Sequence, residues 1–96
     1  MNEPTDNYNP IELPIDGVLD LHTFSPKEVK QLIPDYIDIC LEKNITQIRI
    51  IHGKGIGTLR GIVRSILEKH PAVISFRHES AAGSWGATVV DLKPNG

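Results

Sequence analysis

Ninety-six residues support one small domain, and 40% hydrophobic with 23% charged residues is the balance of an ordinary soluble globule. No stretch is long and apolar enough to cross a bilayer, and the opening Met1-Asn2-Glu3-Pro4-Thr5-Asp6 is unlike a secretory leader, so no membrane contact and a cytoplasmic location are expected. The single cysteine, Cys40, excludes an intramolecular disulfide and any multi-cysteine metal site. The formal net charge of −2 hides an asymmetry: between Ile45 and His78 stand Arg49, Lys54, Arg60, Arg64, Lys69 and Arg77 against Glu68 alone.

Residues 1–14 are polar, carry Pro4, Pro10 and Pro14, and lack an apolar period, which predicts a flexible arm ahead of a domain at 15–96. Ile15 to His22 alternates, with Leu19 and Leu21 on one parity and Asp20 and His22 on the other, as in a strand with one buried face. Ser25 and Glu28 form a capping box, and Pro26 suits a first helical position. The helix they open is predicted to run to about Lys43 on a stripe of Val29, Ile33, Tyr36, Ile37 and Cys40, bent by Pro34 and ended by Asn44.

A short β-branched strand follows at Thr46–Ile51, then the glycine-rich His52-Gly53-Lys54-Gly55-Ile56-Gly57. Thr58 is placed to cap a second helix with Leu59, Ile62, Val63 and Ile66 as its apolar stripe, stopped by Pro71. Val73–His78 reads as a third strand, Ser80–Gly86 as a turn, and Ala87–Leu92 as a fourth strand. The order βαβαββ predicts a two-layer α/β sandwich: a four-stranded mixed sheet with both helices on one face, the crossovers right-handed and the other face partly open.

Three segments in this order carry a resemblance. Leu19-Asp20-Leu21-His22, His52-Gly53-Lys54-Gly55 and Gly83-Ser84-Trp85-Gly86-Ala87-Thr88 resemble the motifs of the small MutS-related (Smr) domain family, over about Ile15 to Leu92. The resemblance implies a fold like the C-terminal domain of bacterial translation initiation factor three, binding of DNA or RNA, and in several members endonuclease activity. It also implies functional roles for Asp20, His22, His52, Gly53, Lys54 and Gly55. One departure stands out: glycine often follows the first motif, and here it is Thr23, a β-branched residue poorly suited to positive φ.

The residues themselves fit phosphodiester chemistry. Asp20 and His22, two apart on a strand, leave the same face, and a carboxylate can orient an imidazole for general acid or base work. Glycines at 53, 55 and 57 before a helix N-terminus, with Lys54 among them, suit a phosphate; the Gly-x-x-x-x-Gly-Lys-Ser/Thr spacing of a nucleoside-triphosphate loop is absent. His22 and His52 both end predicted parallel strands, where open sheets bind ligands, and are expected on one rim beside a shared phosphate. Arg49 and Arg77 are expected on the open face with Asp20 and His22, and Arg60 and an exposed Trp85 are further candidates for backbone and base contacts. Each has a plainer reading: Asp20 as a loop cap, His22 as a structural hydrogen bonder, the glycines as a tight turn, the arginines as solvated, Trp85 as core. Asp20, His22 and His52 are ligand types, yet no histidine pair stands at i, i+4, so no metal and no cofactor is expected. The leading expectation is a monomeric, metal-independent endonuclease for RNA or structured DNA. The alternative is a noncatalytic module holding nucleic acid, a ribosome or another ribonucleoprotein, and a small-anion site at His52–Gly57 is a third.

Overall fold

A computed structural model of the chain describes residues 13–53, 57–79 and 86–94. Its elements are β1 (Val18–Asp20), α1 (Pro26–Glu42), β2 (Gln47–Ile51), α2 (Thr58–Lys69), β3 (Val73–His78) and β4 (Ala87–Leu92), the predicted βαβαββ. Of the predicted arm, residues 1–12 lie outside the described residues, while Leu13 is half-buried against the core.

Both ends of α1 are made by local chemistry. The Ser25 hydroxyl accepts the Glu28 N–H at 3.3 Å while the Glu28 carboxylate accepts the Ser25 N–H at 2.8 Å, closing the capping box. At the far end Asn44 takes φ 63°, its N–H donates to Leu41 O, and the Ile45 N–H donates to Cys40 O. That is a Schellman stop with asparagine in the left-handed position. The helix continues through Pro34 and buries Val29, Leu32, Ile33, Tyr36, Ile37, Cys40 and Leu41. Leu32 and Leu41 widen the predicted stripe because a helix lying along a sheet buries more than one row of side chains.

The sheet order is β1-β2-β4-β3, with β1 parallel to β2 and β4 antiparallel to both its neighbours. Consequently β4, last in the chain, lies inside the sheet, and the two central strands supply Ile48, Ile50, Ala87, Thr88, Val90 and Leu92 to the buried set. Register pairs Leu19 with Ile50, Ile50 with Thr88, and Val90 with Ile48 and Phe76, so these residues share one face. They form a single cluster with the stripe of α1 and with Val63 and Leu67 of α2; both helices cover that face and pack on each other. The opposite face carries Val18, Asp20, Gln47, Arg49, Ser75, Arg77 and Asp91.

Three local expectations are corrected. β1 is three residues long rather than eight. Asp16 Oδ1 accepts the Val18 N–H at 3.0 Å and Gly17 turns at φ 93°, which delays its start. α2 is capped by Gly57 at φ 89°, and Thr58 is the first helical residue, with no side-chain cap bond; a left-handed glycine makes the turn by backbone alone. Along α2 the fully buried residues are Val63 and Leu67, with Leu59, Ile62 and Ile66 half-buried at the layer's edge. In β3, Ile74 is 60% exposed, because a bulge between Val73 and Ser75 shifts the pairing and leaves Val73 and Phe76 to face the helices.

Candidate functional site

Leu19 and Leu21 anchor β1 in the core at 3% and 0% exposure, which fixes the backbone that presents Asp20 and His22. Asp20 Oδ1 accepts two hydrogen bonds from His22, the backbone N–H at 3.0 Å and Nδ1–H at 2.9 Å. Those bonds, the backbone one foremost, hold the Asp20 carboxyl below the usual carboxylate range against a small opposing effect of burial. A carboxylate can only accept, so the neutral imidazole carries its hydrogen on Nδ1 and turns a lone pair outward at Nε2. The His22 side chain is 75% exposed, and among the described residues nothing hydrogen-bonds Nε2. The following turn is closed by the Phe24 N–H donating to Leu21 O at 3.0 Å. Among described non-glycine residues only Asn44 has positive φ, so Thr23 fits this turn without strain.

His52 follows β2, the parallel neighbour of β1, so it stands at the same rim as His22. Its ring does not join His22. It continues the parity of Ile48 and Ile50, is 8% exposed, and lies on the helix side with Thr88, whereas Asp20 and His22 continue the open face. Its Nδ1–H donates to Gly53 O at 3.1 Å and its Nε2 lies 2.9 Å from Thr88 Oγ1. His78 Nδ1 lies 3.0 Å from the same hydroxyl, and the two imidazoles meet edge to face at 5.8 Å. Burial foremost pushes the His52 pKa down, with His78 and Arg60 adding repulsion, so its neutral form is favoured. The expected sharing of one phosphate by His22 and His52 is corrected on this geometry: one is a surface group and the other a buried, satisfied one.

Gly53 takes φ 87°, with open space where a Cβ would stand, and its N–H and that of His52 both donate to Gly86 O at 2.9 Å. Lys54, Gly55 and Trp85 lie outside the described residues. The predicted basic open face is also corrected. Arg49 makes a two-bond contact to Glu79 at 2.8 and 2.9 Å, and Arg77 reaches Asp91 at 3.2 Å, which neutralises both. Arg60 is exposed in the first turn of α2, its Nη2 3.9 Å from the position a Cβ on Gly57 would take, and it makes no ion pair among the described residues. Thr88, His78 and Glu79 are the functional-site neighbours that sequence reasoning missed or passed over. Among the described residues no three His, Cys, Asp or Glu side chains gather to hold a metal ion, and no helix is long and apolar enough to cross a membrane.

A two-layer βαβαββ domain with Leu21-His22 following Asp20 at the end of β1 and His52-Gly53 following β2 defines a class, and comparison with known proteins identifies it. The Smr domain family model matches residues 19–93, and the chain belongs to that family. It is 38% identical over 80 residues to endonuclease MutS2 of Caldicellulosiruptor bescii and 37% identical over 76 residues to that of Staphylococcus saprophyticus. These matches cover 82% and 78% of this chain but 10% of each relative, so the chain spans about a tenth of their length. The crystal structure of the Smr domain of Thermus thermophilus MutS2 superposes with a TM-score of 0.74 at 28% identity, covering 82% of this chain and all of that one. YdaL, a stand-alone small MutS-related protein from Escherichia coli, has the same fold: TM-score 0.74, 24% identity, 83% of this chain and 66% of that chain.

Proposed function

We propose that this domain binds nucleic acid and cuts phosphodiester bonds in RNA or structured DNA by general acid/base chemistry, without a metal. The observation that carries the reading is the exposed His22 ring, held in one tautomer by Asp20, with Nε2 unbonded among the described residues, at the carboxyl end of a parallel strand pair. Relatives named endonucleases support it. On RNA, Nε2 takes the proton of a 2′-hydroxyl as its oxygen attacks phosphorus; the bond to the 5′-oxygen breaks, and that oxygen leaves with a proton returned from solvent or from the imidazolium. Arg60 beside Gly57 and the N-terminus of α2 supply positive charge at the same rim, where an anionic transition state benefits most.

The test is incubation of the purified chain with labelled single-stranded RNA, duplex DNA and branched DNA, with and without chelator. Cleavage that survives chelator and is lost in His22→Ala is the expected result; cleavage abolished by chelator overturns the metal-free chemistry. A second reading has one observation in its favour. Asp20 Oδ1 also accepts the His22 backbone N–H, as a purely structural turn residue would, so a module that binds nucleic acid or a ribonucleoprotein without cutting it would show the same contact. Binding with no cleavage of any substrate selects that reading.

A further inference from the structure

Gly61 is a glycine that the fold itself does not require. It stands inside α2, where glycine is the poorest helix former after proline. Two reasons commonly keep glycine at such a position: a positive φ, or a neighbour too close for a Cβ. Gly61 has neither among the described residues. It is not one of the left-handed glycines, and its N–H donates to Gly57 O at 2.9 Å as in any helix. Nothing lies within 4 Å of the place its Cβ would take, and the residue is exposed. A local loss of stability that nothing in the fold offsets points to something outside the chain that approaches this backbone.

The open space belongs to a groove of about 660 Å³ where α1 and α2 meet. Gly61 and Ser65 line it with small groups, and Ile62 and Ile66 with apolar ones. Lys30, in the second turn of α1, and Lys69, in the last turn of α2, bring two positive charges to it. Among the described residues neither lysine forms an ion pair and no carboxylate lines the groove. Its upper end, at Gly57 and Thr58, lies at the rim that presents His22, because both helices begin just past the carboxyl ends of parallel strands. From there it follows the 12 residues of α2, about 18 Å.

We propose that this groove is a second contact surface for nucleic acid, taking the sugar–phosphate backbone of an unpaired strand as it leaves the rim. The proposal rests on the nucleic-acid reading above and extends it, since a strand cut beside His22 must continue past that point. Two lysines set apart along a line suit repeating phosphates, and the Thr58 and Ser65 hydroxyls can donate to the same oxygens. A compact anion would meet one lysine and leave the other. The groove is open along its length, which fits a polymer passing through rather than a small molecule to be enclosed. At Gly61 the strand comes into contact with the helix backbone, where a side chain would hold it away.

The experiment measures binding of a labelled single-stranded RNA decamer by fluorescence anisotropy across a salt series, with thermal melting alongside. It compares the parent, the double variant Lys30→Ala with Lys69→Ala, and Gly61→Leu. Leucine is a good helix former that fills the groove, so Gly61→Leu should raise Tm by about 3–6 °C yet weaken RNA binding about five- to tenfold. Opposite signs for stability and binding at one position are not expected of a glycine with a merely structural role. The double lysine variant should melt like the parent, bind about tenfold more weakly at low salt, and lower the salt slope by about 1.4, as for two phosphates of a single strand. Parental RNA affinity in Gly61→Leu overturns the groove, and so does a parental salt slope in the double lysine variant. A lowered Tm in Gly61→Leu shows that the fold needs this glycine and overturns the inference of an outside ligand. An oligoglutamate of equal length that displaces the RNA from the parent at matching concentration, but not from the lysine variant, assigns the groove to an acidic peptide instead. RNA that fails to bind even the parent overturns the nucleic-acid reading and this occupant with it, whereas failure of the groove alone leaves parental binding intact.

Discussion

Replacing Asp20 by asparagine separates the charge of the Asp20–His22 pair from its geometry. Asparagine keeps an oxygen at Oδ1, so both bonds from His22, at 3.0 and 2.9 Å, remain available and the ring keeps its tautomer. What disappears is the charge on the acceptor, and a charge-assisted bond is roughly twice as strong as a neutral one. Both side chains are about half or more exposed, at 75% for His22 and 49% for Asp20, so water screens most of that difference. We therefore expect Asp20→Asn to slow cleavage only about three- to tenfold, whereas His22→Ala, which removes the proton-transfer group, should cost about 10²–10⁴-fold. Adding Asp20→Asn to His22→Ala should change almost nothing more, since the two act as one unit. Single-turnover cleavage with enzyme in excess measures the chemistry, fluorescence anisotropy the affinity, and thermal melting the fold. Because the Asp20 carboxyl titrates below the ordinary carboxylate range, its contribution is present above that range and lost only as pH falls through the lowered value. Its protonation then plays no part in the activity profile between pH 5 and pH 8. Losses that simply multiply in the double variant, or a His22→Ala protein that cuts at the parental rate, would refute the reasoning.

Three further outcomes follow from the fold and the rim. Tyr36→Phe removes a buried hydroxyl that accepts the Gly17 N–H at 3.2 Å and donates to Val18 O at 3.3 Å. Stranding the Gly17 donor should cost about 1–3 kcal/mol and lower Tm by roughly 5–15 °C, read by calorimetry; an unchanged Tm would mean those bonds are not holding the start of β1. Arg60→Ala should weaken nucleic-acid binding, lower the salt slope by about 0.7–0.9, and leave Tm nearly unchanged; an unaltered slope would show that Arg60 touches no phosphate. Cys40 is fully buried and its thiol is pushed up to about 11 by burial, so it should resist alkylation at pH 8 in the native protein and react once denatured; rapid native labelling would contradict the packing of α1.

What could be read from sequence and what could not divides along the range of the interactions. The α1 cap, its asparagine stop, and the bounds of β3 and β4 follow from residues within a few positions, and these were legible. Facts that depend on β4 lying between β2 and β3 were not. Thr88 reaches His52 across 36 positions and Glu79 reaches Arg49 across 30, and no local pattern announces either pairing. The burial of His52 had a readable signal: Ile48, Ile50 and His52 share one parity, so continuing the alternation by one step puts its ring on the helix side. Reading it as the start of a loop hid that.

The charge asymmetry in the second half of the chain has a structural resolution that bears on how a strand would be gripped. Of its basic residues, Arg49, Arg64 and Arg77 are paired with Glu79, Glu68 and Asp91. Arg60 and Lys69 form no ion pair among the described residues. Arg60 stands at the N-terminus of α2, which begins just past the carboxyl end of β2, the same rim that presents His22 beside β1. Attraction for a phosphate therefore concentrates at that rim rather than spreading over the open sheet face. A nucleic acid held across the sheet would meet balanced ion pairs and gain little from counterion release. One brought to the strand ends would meet the helix dipole, Arg60 and the His22 ring together. Under the proposed function, binding at the strand ends predicts tighter association with an unpaired segment or a branch point than with a straight duplex, and equal affinity for the two would refute it.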